Sequence, residues 1–319
     1  MTPFAAMQAA TYLPDAATVA AKASQSGCLV YQPYLNSDQR ASLHPDAIAF
    51  DISFNTDANT REYELFRTLY DHHKAIGLDR EAFWGLVSSK FELKAATSFS
   101  HFASEAAKAK DAGFDCYIYN PMLANAAIYI NVWEQGIATG HTGLDRICEY
   151  LGNKGYPVVQ PQGQDTFFLC NYVCGNERFW RGYFSYCEAV LYGLDQEAGM
   201  GRPAGLAYRG VANYARDRGA GMRPFVIERL LGLYVQTASA EGLKVATFKP
   251  QPEDFDRKFG HRLGPVLSKL FHEKNEALAS NHPVRIEAWK QARLAITSRS
   301  VLALHADDPP NWLPNVTGP

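Results

Sequence analysis

A mainly parallel α/β sheet flanked by helices, with a helical extension at the C-terminus, is the fold class that this sequence of 319 residues predicts. Three observations carry it. Short apolar runs closed by proline or asparagine recur along the first two thirds of the chain. Between them lie stretches with apolar residues at helical spacing, the alternation expected of a parallel sheet with crossover helices. From Phe255 onward the strand-like runs stop and only helix-forming, Lys-, Arg- and His-bearing segments remain.

The first run, Cys28 to Tyr34, reads as a buried strand ended by Pro33, and Ala47 to Ile52 as a second. Asn59-Thr60 offers a helix N-cap before Arg61 to Tyr70, where Leu65, Phe66, Leu69 and Tyr70 recur on one face and acidic residues occupy the first turn. Phe83 to Ser88 is the next strand. Phe99 to Lys110 is a helix capped by Ser98 or Ser100, and 116–120 a strand that stops at Asn120-Pro121. A helix is expected from Leu144 to Leu151 and a turn at Asn153 to Gly155. A strand then follows from Phe167 to Cys174, and a helix capped by Asn176 from Glu177 to about Leu191. Residues 195–224 are rich in Gly, Arg and Ala and are expected to be partly mobile. Pro224 opens a helix from Phe225 to Gln236, since proline is tolerated in a first turn, and Val245 to Phe248 is a last short strand. The expected division is a catalytic α/β domain at 1–254 and, at 255–319, a helical extension with a Pro-rich tail.

With 47% hydrophobic residues the chain can bury a full-sized core. A formal net charge of -2 argues against a dedicated nucleic-acid binder, which relies on neutralising phosphates. No run approaches the roughly 18 apolar residues of a membrane span, and the Ala-rich start lacks the basic and apolar regions of a signal peptide, so a cytoplasmic location is expected. Cys28, Cys116, Cys148, Cys170, Cys174 and Cys187 sit mostly inside apolar runs and read as buried free thiols.

No Gly-x-Gly-x-x-Gly follows the first strand, and there is no Walker loop, His-Glu-x-x-His or Gly-x-Ser-x-Gly. What remains is a set of polar groups just past strands, where open α/β sheets bind ligands. Gln32, Tyr34 and Asn36 follow the first strand; Ser88, Ser89 and Lys90 follow the third. Asn120 ends the fourth, and Asn171 and Asn176 follow the strand expected at 167–170. After Asn120 come Asn131, Trp133, Glu134, Gln135 and His141, groups suited to a polar, ring-shaped ligand such as a sugar or sugar nucleotide. Aromatic faces stack on rings, and a lysine meets a diphosphate. Each has a plainer alternative: Ser88 to Lys90 as an ordinary loop and Trp133 as core.

The order of these pieces resembles a family of bacterial GT-A-like glycosyltransferases from capsule and lipopolysaccharide loci. The resemblance rests on Asp51-Ile52-Ser53-Phe54-Asn55, Glu62-Tyr63-Glu64-Leu65, Trp84 to Phe91, Asn120-Pro121, Asn131 to Gly136 and His141-Thr142-Gly143-Leu144. Asn171 to Asn176 and Pro224 to Leu231 complete it, so that it covers roughly residues 28–250. It implies transfer of a sugar from a nucleotide-sugar donor to a polysaccharide or lipid-linked acceptor. The donor would lie over Gln32, Tyr34, Asp51, Ser88, Lys90, Asn120, Asn131 and Trp133. Such enzymes usually hold a divalent metal, Mn or Mg, on an Asp-x-Asp motif. Here the corresponding strand end reads Asn120-Pro121-Met122, which leaves either Asp51 or Glu134 for a metal, or charge neutralisation by Lys90. Thr142 stands where proline is expected after the histidine.

Inverting transfer needs a base for the acceptor's proton. Glu228, read as a first-turn residue of its helix, is the first candidate, with Glu134 and His141 as runners-up. The segment bearing Lys258, His261, Arg262, Lys269, His272 and Lys274, with Leu263, Val266, Leu267, Leu270 and Phe271 at helical spacing, reads either as an amphipathic helix for an anionic membrane surface or as one packed on the protein. Two other function classes stand beside the transferase: a carbohydrate-binding or assembly protein without turnover, and another nucleotide-dependent α/β enzyme such as a nucleotidyltransferase.

Overall fold

The computed structural model describes residues 13–53, 61–78, 82–95, 97–212 and 219–297. These fall into two compact units whose segments alternate along the chain. Of the described residues, the first takes those within 13–119, 171–196 and 223–248, and the second those within 120–170, 197–222 and 249–297. In the second unit 120–170 and 197–222 are grouped with the C-terminal helices.

The first unit opens with α1 (Ala16–Ser26), capped by the Asp15 carboxylate on the Thr18 N–H at 2.8 Å. Then come β1 (Leu29–Tyr34), α2 (Ser37–Ala41), β2 (Ile48–Asp51), α3 (Arg61–Ala75), β3 (Trp84–Leu86), α4 (Phe91–Lys94), α5 (Phe99–Asp111) and β4 (Cys116–Tyr119). In the second unit follow α6 (Leu123–Ile128), α7 (Val132–Ala138) and α8 (Leu144–Asn153). The chain returns to the first with β5 (Tyr172–Gly175) and α9 (Glu177–Gly199), leaves it for α10 (Pro203–Arg209), and returns with α11 (Arg223–Ala240) and β6 (Val245–Thr247). It ends its described part in the second unit with α12 (Pro252–Ser280) and α13 (Pro283–Thr297).

All six strands form one sheet in the first unit, in the order β2-β1-β3-β5-β4-β6. β1 is parallel to β2 and β3, and β4 to β6, while β5 runs antiparallel to both its neighbours. Gly85 allows the β3–β5 approach: a Cβ there would stand 2.0 Å from the Val173 carbonyl oxygen. Helix formation follows burial. α5 buries Phe99, Phe102, Ala106 and Ala109 along one side, Ser98 caps it, and each phenylalanine contributes about 2 kcal/mol by leaving water. On α3 the expected face of Leu65, Phe66, Leu69 and Tyr70 is buried.

Trp84 of β3 stacks on Trp180 of α9 at 4.3 Å, and the Trp180 indole N–H donates to the carbonyls of Trp84 and Gly175. Asp115, just before β4, accepts from the Asn176 amide, the Arg178 guanidinium and the Lys244 N–H, each at 2.9 Å. It thereby ties the exit of β5 to the entry of β6 at the edge opposite the carboxyl ends of the parallel strands.

In the second unit, α12 packs on α6 and α13. The last carbonyls of α6, which no helical N–H reaches, are taken by side chains of the two C-terminal helices. Lys274 donates to Ala126 and Tyr129 at 2.9 and 2.5 Å, the Trp289 indole to Ala127 at 3.2 Å, and Arg293 to Ile128 at 3.1 Å. The Lys274 ammonium, fully enclosed, also lies over the Phe167 and Trp289 rings, and burial lowers its pKa well below that of a free lysine.

Several expectations are corrected. The strand expected over Phe167 to Cys174 is β5 at Tyr172–Gly175 alone. Cys170 and Asn171 adopt φ of 74° and 43°, which no strand tolerates, and the Phe167 carbonyl is taken by a side chain, not by a ladder. Because β5 is antiparallel, Asn171 lies at its start and Asn176 at the far edge. The stretch 195–224 carries the end of α9 and the whole of α10, while 213–218 lie outside the described residues. α11 begins at Arg223, so Glu228 sits in its second turn, not its first. Leu263, Leu267, Leu270 and Phe271 are buried, and Lys258 and Lys274 turn inward to backbone carbonyls. The buried side of this segment is thus packed on protein, with Val266 half-buried. The caps expected at Asn59-Thr60, and the Pro-rich tail, lie outside the described residues.

Candidate functional site at the carboxyl edge of the sheet

The chain steps from β1 outward to β2, then crosses back over β1 to β3. The carboxyl ends of β1 and β3 therefore flank a topological switch point, the place where open α/β sheets generally bind ligands. Gln32, Tyr34, Asp51, Ser88 and Lys90 all come to this edge. Register explains why: Gln32 pairs with Ala49, Tyr34 with Asp51, and Tyr31 with Leu86 two residues before Ser88.

Hydrogen bonding sorts these residues. Gln32 is buried; its amide accepts from the His44 N–H at 2.9 Å and donates to the Ser88 carbonyl at 3.4 Å, so it bridges β1 to the β3 loop. The Ser88 hydroxyl accepts from the Lys90 N–H at 3.0 Å, shaping the turn that leads into α4. Lys90 itself is exposed, and no side-chain cap bond ties it to the helix. Tyr34 is half-buried under the Arg40 guanidinium, 5.6 Å from the ring centre. Asp51 is half-buried and accepts from the Ser53 N–H at 2.9 Å. Asn171 reaches the same edge: the register Leu86↔Val173 brings it to the level of Ser88. It follows no strand, contrary to the pattern in the sequence, and only the antiparallel sense of β5 delivers it here.

The other expected site residues belong to the second unit, and there they build structure. Asn120 donates to the Phe167 carbonyl at 2.8 Å and accepts from the Met122 N–H at 3.1 Å. Asn131 caps α7 through the N–H groups of Trp133 and Glu134 and donates to the carbonyls of Val158 and Gln160. Trp133 is buried at 1% exposure. Glu134 accepts from the Ile130 N–H at 2.6 Å and from Arg293 through both oxygens at 2.8 and 2.9 Å. Burial alone would raise its pKa, but the Arg293 fork and the Ile130 N–H outweigh that and hold it below the usual glutamate range. His141 is buried with Nδ1 3.3 Å from the Ala212 carbonyl. Glu228 belongs to the first unit and is half-buried on α11.

An open cleft of about 500 Å³ lies elsewhere on the first unit, between α3, α9 and the start of α11. Glu64, Asp71, Glu188 and Asp195 face Arg67 and Arg223 in it, and Arg67 is engaged by Glu188 and by Asp71. No sequence pattern announced this cleft, since its charges come from helix faces far apart in the chain.

Of the two residues that the sequence leaves for a divalent metal, Asp51 accepts from the Ser53 N–H and Glu134 from Arg293 and the Ile130 N–H. The Asn120 amide is engaged by backbone at both ends, Glu134 is clamped by Arg293, and among the described residues no group of three or more His, Cys, Asp and Glu side chains converges on one point. Among the described residues no helix is long and apolar enough to cross a membrane. Comparison with protein-family models, with curated proteins and with solved structures gave no match.

Proposed function

We propose that this chain is a glycosyltransferase of GT-A-like fold that moves a sugar from a nucleotide-sugar donor to a polysaccharide or glycolipid acceptor. The observation that carries the reading is the gathering of Gln32, Tyr34, Asp51, Ser88 and Lys90 at the carboxyl edge of a mixed α/β sheet, around its switch point. In this reading the Tyr34 ring offers an apolar face to a base or sugar, and the Asp51 carboxylate accepts from donor hydroxyls. The Lys90 ammonium meets the diphosphate. The acceptor oxygen forms its bond to the anomeric carbon as the bond to the diphosphate breaks, and the diphosphate leaves with the electron pair. Positive charge where that anion develops lowers the barrier.

Glu228 is the base of this reading, taking the acceptor's proton. Glu134 is a poor base because its carboxylate is held by Arg293 and its proton affinity is lowered. The alternative, a carbohydrate-binding or assembly protein without turnover, is favoured by the lack of a carboxylate pair at Asn120-Pro121.

Thermal unfolding in the presence of a panel of sugar nucleotides, with and without Mn²⁺, tests the reading, since a ligand bound only by the folded state raises the midpoint. A shift with one or more of them is expected. Transfer activity should fall at least a hundredfold in Glu228→Gln. No shift with any nucleotide sugar sinks the proposal, and a shift without any transfer selects the binding protein.

A further inference from the structure

Asn171 differs from the other asparagines that shape this protein. The side-chain oxygens of Asn36, Asn120, Asn131, Asn176 and Asn275 each accept a backbone N–H. That of Asn171 is buried and, among the described residues, has no hydrogen-bond partner. The residue is 6% exposed and sits with φ at 43°, next to Cys170 at 74°. A left-handed backbone and an unsatisfied buried acceptor both cost stability. Asparagine is, after glycine, the residue best suited to a left-handed backbone, so the cost that folding leaves unexplained is the unsatisfied buried acceptor.

Its location supplies an account. Asn171 opens β5, between β3 and β4, at the level of Ser88 on the carboxyl edge, and Ser88 is bridged to β1 by Gln32. Backbone strain and unpaired polar groups concentrate where a ligand completes the hydrogen bonding. We infer that Asn171 is a ligand-binding residue of the donor site, its Oδ1 accepting a hydrogen bond from a hydroxyl of the bound sugar nucleotide, ribose or hexose. This rests on the glycosyltransferase reading. It adds a requirement for a hydroxyl donor at one defined position of the ligand.

The test pairs stability with affinity in Asn171→Gly. A residue that merely supports the fold loses stability when truncated. A residue held in an unfavourable state for binding keeps or gains stability and loses affinity. The variant is expected to melt at or above the wild-type temperature. It should bind the best nucleotide sugar of the panel roughly tenfold more weakly, the value of one hydrogen bond. Titrations with that nucleotide sugar and with its nucleoside diphosphate separate the two hydroxyl sources. Weakening of both assigns the bond to ribose, and weakening of the nucleotide sugar alone assigns it to the hexose. If wild type binds none of the panel, the transferase reading falls and the inference with it. If wild type binds and Asn171→Gly binds equally well, or if the variant melts several degrees lower, the inference is overturned while the transferase reading stands.

Discussion

Lowering the pH should destabilise this protein through one buried imidazole. His73 has no exposed surface; its Nε2 lies 2.7 Å from the Tyr31 hydroxyl, its Nδ1 is buried without a hydrogen-bond partner, and its ring packs 5.0 Å from Trp84. Burial, with a smaller push from neighbouring His72, lowers its pKa from 6.5 to about 3. The folded pKa lies below the unfolded one, so the unfolded chain binds the proton first as pH falls. Stability is therefore complete above pH 6.5 and is lost progressively down to about 3. Each pH unit in that window costs about 1.4 kcal/mol, so a fall to pH 5 costs roughly 2 kcal/mol and full protonation roughly 5 kcal/mol. Urea unfolding followed by tryptophan fluorescence from pH 7 to 4 measures this. The control is Tyr31→Phe combined with His73→Phe, which keeps the rings and leaves neither partner stranded. Carboxylates and His72 titrate in both proteins, so the difference between the two curves isolates His73. That difference should change by roughly 2 kcal/mol between pH 7 and 5. A difference independent of pH refutes the argument, because it means His73 carries the same proton load in both states.

Two further substitutions probe the packing. Arg293→Met leaves Glu134 half-buried without its ion pair and strips the Ile128 carbonyl of a donor; a loss of about 2 kcal/mol at pH 7 is expected in denaturant titration, below the cost of breaking a fully buried pair. Because the wild-type Glu134 pKa lies below 4.5, that loss is complete above pH 4.5 and shrinks as the pH falls through the folded pKa. Gly85→Ala drives a methyl group to within 2.0 Å of the Val173 carbonyl oxygen; separating β3 from β5 should cost more than about 3 kcal/mol, and a soluble variant with wild-type melting behaviour contradicts the register.

Strand and helix positions were legible wherever burial and period coincided. The apolar runs at 29–34, 48–51, 84–86 and 116–119 are strands, and the face of Leu65, Phe66, Leu69 and Tyr70 is the buried face of its helix. The run at 167–174 misled, because Phe167, Phe168 and Leu169 are buried as loop residues and not as strand. An apolar run reports burial, and burial alone does not specify extended backbone. The short α7 is masked in the sequence because Asn131, Trp133, Glu134 and Gln135 suit a polar ligand, while the Asn-x-x-Glu spacing is equally that of a helix start.

Period and composition specify the class of architecture: an α/β core, an all-helical end, and polar groups massed where strands stop. Tertiary structure decided which of those groups meet. Gln32, Ser88, Lys90 and Asn171 reach one edge because β5 runs against its neighbours and β1 sits at a switch point. The signal for either lies in pairings between strands, β1 with β2 and β3 and β3 with β5, which local spacing does not encode. Asn131 adds the Val158 and Gln160 carbonyls to its local cap, and Glu134 becomes the partner of Arg293. Their polar character served hydrogen bonds that only the folded second unit supplies.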